Sequence, residues 1–160
     1  MGSGADPQIR QIRRYYDRNT GRFLRFGHGG VSAAIHRAVW APGVKDRRGA
    51  MEYVNALVLK TVVENECRNV VDLGCGVGGT VSYLAARHPA RYRGLTLSRI
   101  QAETGRSLLA GNGVDAESAV TIHAGDFHRR SDIGGPYDAA YAIEALLHAD
   151  RKSTRLNSSH

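Results

Sequence analysis

The chain has 160 residues, enough for one domain with a core of its own, and 22 Lys and Arg against 15 Asp and Glu give it a formal net charge of +7. Cys67 and Cys75 stand in different elements, which disfavours a disulfide framework, and the histidines show no metal-ligand spacing with cysteines or acids, which disfavours zinc. No apolar run is long enough to span a bilayer or form a signal-peptide core, and position six is Asp6 where a myristoylated N-terminus needs Ser or Thr, so a cytoplasmic protein is expected.

Pro7 to about Phe26 is expected to be helical, with Ile9, Ile12, Tyr15, Tyr16, Phe23 and Leu24 at near-helical spacing and a break at Asn19-Thr20-Gly21. Its cationic run, Arg10, Arg13, Arg14, Arg18, Arg22 and Arg25, suits RNA, an anionic lipid surface or a diphosphate-bearing substrate. With no nucleic-acid module and no aromatic stacking platform, an anionic small molecule is the better match and nucleic acid the poorer one. Phe26-Gly-His-Gly-Gly30 and Ala41-Pro42-Gly43 read as loops, and their glycines would let residues 1–50 fold over a ligand as a helical cap. Ala50 to Asn65 carries Met51, Val54, Leu57, Val58 and Val62 as an amphipathic stripe leading into the first strand of a second unit, residues 51–149.

Asn69-Val-Val-Asp-Leu-Gly-Cys-Gly-Val-Gly-Gly-Thr80 is a short apolar strand ending in an acid and running at once into a glycine-rich turn before a helix, expected over Thr80 to Arg87. In an open parallel sheet ligands sit beyond the carboxyl ends of the strands, so this turn lies directly under them. Gly74, Gly76 and Gly78 allow the sharp turn and close backbone approach that a Cβ would obstruct, and the helix start offers unpaired N–H groups. Gly74, Gly76 and Gly79 also satisfy the dinucleotide fingerprint, a weak signal by itself. A dinucleotide site wants an acid about 20 residues further on to hold the ribose, and the strand there, Arg93-Gly-Leu-Thr-Leu-Ser98, has none.

Asp72 two residues before the first glycine makes the string resemble motif I of class I S-adenosylmethionine (SAM)-dependent methyltransferases. Gly94-Leu-Thr-Leu-Ser98 with Gln101 is similar to the second motif of the cyclopropane-fatty-acid-synthase-like and isoprenoid C-methyltransferase branches. The resemblance implies an α/β, Rossmann-like doubly wound sheet with SAM as cofactor. It implies that Asp72, Gly74, Cys75, Gly76 and Gly78 meet the methionine end, and Thr96, Leu97 and Gln101 the ribose. Val120-Thr-Ile-His-Ala-Gly-Asp-Phe127 reads as an alternating strand, and the resemblance implies that Asp126 after it accepts from the adenine amino group and that Phe127 lies against the ring; His123 is expected to be packed or at the surface.

A turn at Gly134-Gly-Pro136 precedes another short strand, and Tyr137-Asp-Ala-Ala-Tyr-Ala-Ile-Glu-Ala-Leu-Leu-His-Ala149 looks like the matching stretch of isoprenoid C-methyltransferases. There an acid holds substrate or removes a proton, which makes Glu144, with His148 as its partner, and Tyr16 of a cap-like Tyr-Tyr-Asp segment the catalytic candidates. Glu144 has a second reading, as a charge stabilising a helix N-terminus. Asp150 to His160 resembles the translation of a sequencing-library adapter, so the native sequence is expected to continue differently after Ala149 and the chain to carry only strands one to four of a seven-stranded sheet. The expected activity is methyl transfer to a small molecule, with a carbon of an isoprenoid-like or lipid-like acceptor favoured. An O- or N-methyltransferase, a fragment that binds the cofactor weakly and a nicotinamide-dependent oxidoreductase are the alternatives.

Overall fold

The computed structural model describes residues 7–26, 37–111 and 120–146. In chain order these form α1 (Pro7–Phe26), α2 (Arg47–Glu64), β1 (Asn69–Leu73), α3 (Gly79–Ala85), β2 (Arg91–Thr96), α4 (Arg99–Gly111), β3 (Val120–Ala124), a one-turn α5 (Arg130–Ile133) and β4 (Ala139–Tyr141). The four strands are parallel in the order β3-β2-β1-β4. The expected α/β sheet is therefore present over strands one to four, and the chain reverses direction across the sheet between β1 and β4, where such sheets open a crevice.

The register explains the core. Val70, Tyr92 and Val120 pair in one row across β1, β2 and β3 and turn toward the helices, where Val81 and Leu84 of α3 and Ala102 and Leu109 of α4 pack on them. Burial of each such large side chain contributes roughly 1.5–3 kcal/mol. The next row is Asp72, Gly94 and Ile122. A Cβ on Gly94 would come within 2.7 Å of the Cys75 sulfur, so the gap in the row is filled from the turn above.

Two helices differ from the sequence reading. α1 runs unbroken through Asn19-Thr20-Gly21, because the Asn19 amide donates back to the Tyr15 carbonyl at 2.8 Å and the Thr20 hydroxyl to the Tyr16 carbonyl at 2.6 Å. The side chains that signal a turn here spend their hydrogen bonds on the helix itself. α2 starts three residues before the expected Ala50, after Asp46, whose carboxylate accepts from the Gly49 N–H at 2.7 Å as an N-cap. Its buried positions are Ala50, Met51, Asn55 and Val62, while Leu57 of the expected stripe is exposed. β4 is fastened to the start of β1 by Asp138, which accepts from the Arg68 and Asn69 N–H groups at 2.7 and 2.8 Å. Those bonds hold its carboxyl below the ordinary value.

Candidate functional site

The glycine turn after β1 supplies the floor of a solvent-open cleft at the carboxyl ends of the strands. Gly74, Gly76 and Gly78 have φ of +93°, +58° and +80°, the left-handed region where only glycine is unstrained. Their missing side chains do different things. A Cβ on Gly74 would collide with the Ala145 methyl from the segment after β4, and one on Gly78, the N-cap of α3, with the Ile122 side chain. Gly76 and Gly79 line the cleft itself. The Gly74 and Cys75 N–H groups both donate to the Leu95 carbonyl, at 2.8 and 2.9 Å, which pins the turn to β2.

Asp72 lies at the cleft's base and is almost wholly buried, and burial pushes its carboxyl up from 3.8 to about 7. The Tyr141 hydroxyl faces it from β4 and offsets part of that rise without reaching full hydrogen-bond geometry. Tyr141 and the Cys75 thiol are in turn pushed up, first by burial and then by the Asp72 charge. A buried carboxylate whose neighbours are all neutral or acidic is costly to ionise unless a positive group arrives. The cleft thus has one deep point suited to a cation.

The second wall is the turn from β2 into α4. The Thr96 hydroxyl donates to Gln101 Oε1 at 2.7 Å, so the two residues expected to share a ligand hold one another beside the cleft, with Leu97 between them in sequence. Phe127 closes the far end. Asp126 is buried, but it is not among the lining residues, and its Oδ1 accepts from the His128 N–H and pairs with His128 Nδ1 at 2.8 Å. The expected partner of an adenine amino group is therefore already partly engaged. His123 lies outside the cleft, held below its ordinary value by burial and then by Arg93 and Arg106.

The third wall is the one that determines what else can enter. Ile12 and Tyr16, one turn apart on α1, face Ile143, Glu144 and Ala145 beyond β4. Glu144 itself is not helical; it has φ +54° and accepts from the Arg37 N–H at 3.3 Å, and the residues after Leu146, where a following helix would run, lie outside the described residues. A non-glycine residue in that region costs about 1–3 kcal/mol and persists where the surroundings impose it. Tyr16 is pushed up by burial, then by Tyr15 and by the Glu144 charge. His148 lies outside the described residues. Arg10, Arg14 and Arg18 are exposed, and among the described residues no basic side chain lines the cleft.

Of the residues expected from the sequence, Tyr16, Asp72, Gly74, Cys75, Gly76, Thr96, Leu97, Gln101, Phe127 and Glu144 come together here; Gly78 and Asp126 do not line the cleft. Ile12, Thr80, Ile143 and Ala145 were not foreseen. Ile12 was legible as the residue four before Tyr16 on a helix, whereas Ala145 had no signal short of the fold. The buried Asn55 was legible as a polar residue in an apolar stripe; it accepts from the Thr80 hydroxyl at 2.9 Å and braces the start of α3 against α2. Among the described residues there is no cluster of His, Cys, Asp and Glu fit to hold a metal, and no helix long and apolar enough to cross a membrane.

Comparison with known proteins gives a match to a family described as "Methyltransferase domain" over residues 70–158. A probable chloroplastic tocopherol O-methyltransferase of Oryza sativa is 36% identical over 56% of this chain and 24% of its own length. Sterol 24-C-methyltransferase of Yarrowia lipolytica is 30% identical over 86% of this chain and 34% of its own length. The chain thus spans about a quarter to a third of these curated relatives. Among solved structures, the [4+2]-cyclase SpnF superposes with a TM-score of 0.73 at 24% identity, covering 92% of this chain and 53% of that one. Magnesium protoporphyrin IX methyltransferase from Synechocystis PCC 6803, with bound SAM, gives 0.65 at 21% identity, covering 96% and 69%.

Proposed function

We propose, since this chain belongs to the class I SAM-dependent methyltransferase family, that its cleft holds SAM and that the protein of which it is part methylates a small isoprenoid-like or lipid-like molecule, with carbon the favoured acceptor atom. The observation that carries this reading is the convergence of Asp72, the glycine turn, Thr96 and Gln101 on one cleft with Tyr16 and Glu144 across it.

The residues present fit the cofactor. Asp72 would hold the positively charged methionine end, since a nearby cation removes the cost of ionising it, and Gly76 leaves room for close backbone approach. Thr96 and Gln101 carry hydroxyl and amide groups that can each donate and accept, as a ribose diol requires. Phe127 offers a ring face for the base. SAM supplies an activated methyl group on a sulfonium.

Everything else falls to the protein. The walls would orient the acceptor toward that methyl, and orientation alone removes a large part of such a barrier. Ile12 and Ile143 give the acceptor side an apolar surface, and Tyr16 an aromatic face for positive charge that develops on an alkene carbon. Glu144, exposed at the rim and held in a left-handed turn, would accept the proton that such a carbon must lose. The sterol C-methyltransferase and tocopherol O-methyltransferase among the relatives support an isoprenoid-like acceptor without distinguishing carbon from oxygen.

Calorimetric titration with S-adenosylhomocysteine (SAH) and with NAD tests the cofactor assignment. SAH is expected to bind and NAD not to; NAD binding with no response to SAH would overturn it. Transfer of labelled methyl to an array of prenylated phenols, sterols and amines then reads the acceptor atom.

A further inference from the structure

α1 reaches the cleft through Ile12 and Tyr16, and the next residue, Asp17, makes a hydrogen bond that joins this helix to the cofactor wall. Ser98, between β2 and α4, is fully buried, and its hydroxyl donates to Asp17 Oδ1 at 2.5 Å. Ser98 Oγ in turn accepts from the Gln101 N–H at 3.1 Å, so one side chain caps α4 and grips α1 together. Ser98's own N–H donates to the Thr96 hydroxyl at 3.4 Å, and Thr96 donates to Gln101. An unbroken series of hydrogen bonds therefore runs from the cap helix to both residues assigned to the ribose.

A hydroxyl has one proton to give. Ser98 gives it to a carboxylate 81 positions away in sequence, and bonds to a charged acceptor are about twice as strong as neutral ones. Tyr16 and Asp17 are consecutive on α1, so seating Asp17 restrains the turn of helix that carries the Tyr16 ring.

We propose that Asp17 is a positioning residue: its bond to Ser98 seats α1 on the turn between β2 and α4, holds Ile12 and Tyr16 as the acceptor-side wall, and couples closure of that wall to occupancy of the cofactor site. The coupling half of this rests on the functional reading above; the seating half does not.

The test uses the chain with Asp17→Ala and Asp17→Asn, read by amide hydrogen exchange and by SAH titration. In Asp17→Ala, exchange over residues 7–26 should rise about tenfold while residues 102–111 keep their protection, because Ser98 still caps α4, and SAH should bind about tenfold more weakly. Asp17→Asn keeps an acceptor oxygen and should return both to within about threefold of the parent. Parent-like exchange over residues 7–26 in Asp17→Ala would overturn the proposal, as would equal impairment in both variants, or loss of protection in β1 and β2, which would make Asp17 a general prop of the fold. If the parent chain binds no SAH, the functional reading fails, and the ligand-free exchange comparison decides the seating by itself.

Discussion

A single buried carboxyl governs how this site responds to pH. Asp72 is held at about 7 in the fold against an ordinary 3.8, so it binds a proton in the folded state that the unfolded chain has already released. The stability its protonated form confers is fully present below about pH 4, declines as pH rises toward 7 and is gone above, a span worth roughly 4 kcal/mol at most. Asp72→Asn should therefore raise the melting temperature of the ligand-free chain at pH 8 and leave it nearly unchanged at pH 4, while weakening SAH by about tenfold or more through loss of a charge-assisted contact. Parallel thermal melts at the two pH values and a titration check both halves; a variant no more stable at pH 8 would mean that the carboxyl is not costly to ionise there. Gly74 makes a second prediction. Gly74→Ala should destabilise by more than the roughly 1–2 kcal/mol of left-handed strain, because the new methyl meets that of Ala145. Adding Ala145→Gly should recover the steric part and leave the strain, as a double-mutant cycle in denaturant would read. The sequence singled out Gly74 for a sharp turn and for close approach to a ligand; nothing local reveals that a segment some 70 positions away supplies its neighbour.

At the scale of elements, the strands were readable because each ends at a turn, and their parallel order was what the methyltransferase resemblance implied. The helices were less so. Asn19-Thr20-Gly21 carries the residues of a turn, yet in α1 two of their side chains bond back to carbonyls four positions earlier, an outcome that depends on the helix already being formed. Gly21 remains as a weak point in that helix with nothing within 4 Å of a Cβ built on it. Gly21→Ala should therefore stabilise by about 0.5–1 kcal/mol, seen as a melting temperature a few degrees higher with SAH affinity unchanged. A lower melting temperature would mean that α1 is interrupted there after all. Glu144 shows the opposite limit: its carboxylate was legible as a candidate, but its left-handed backbone was not, because it precedes Ala145, whose packing against Gly74 is a contact between segments far apart in sequence.

For the molecule as a whole, what lies at the sheet's edges matters most. Among the described residues β4 pairs only with β1, and Ala140 on it is exposed, so its outer backbone groups offer a template for another strand. The chain is expected to self-associate with rising concentration, and Ala140→Lys to suppress this with little change in melting temperature. Sedimentation velocity at two concentrations measures it, and unchanged association in the lysine variant would place the contact elsewhere.

The pairing of β4 with β1 also sets an order of events. The Asp138 carboxylate that receives the Arg68 N–H is separated from it by 70 positions, with β2 and β3 threaded between. Closing so long a loop is entropically uphill until its contacts form, so topology predicts slow folding in which β1, β2 and α3 assemble first and the β4 seam last. The site would then be completed by the slowest step: the cofactor floor made by the early strands, and the wall bearing Glu144 delivered only when that seam closes. On a ribosome the nascent chain would hold a recognisable cofactor cradle well before it held a place for the acceptor.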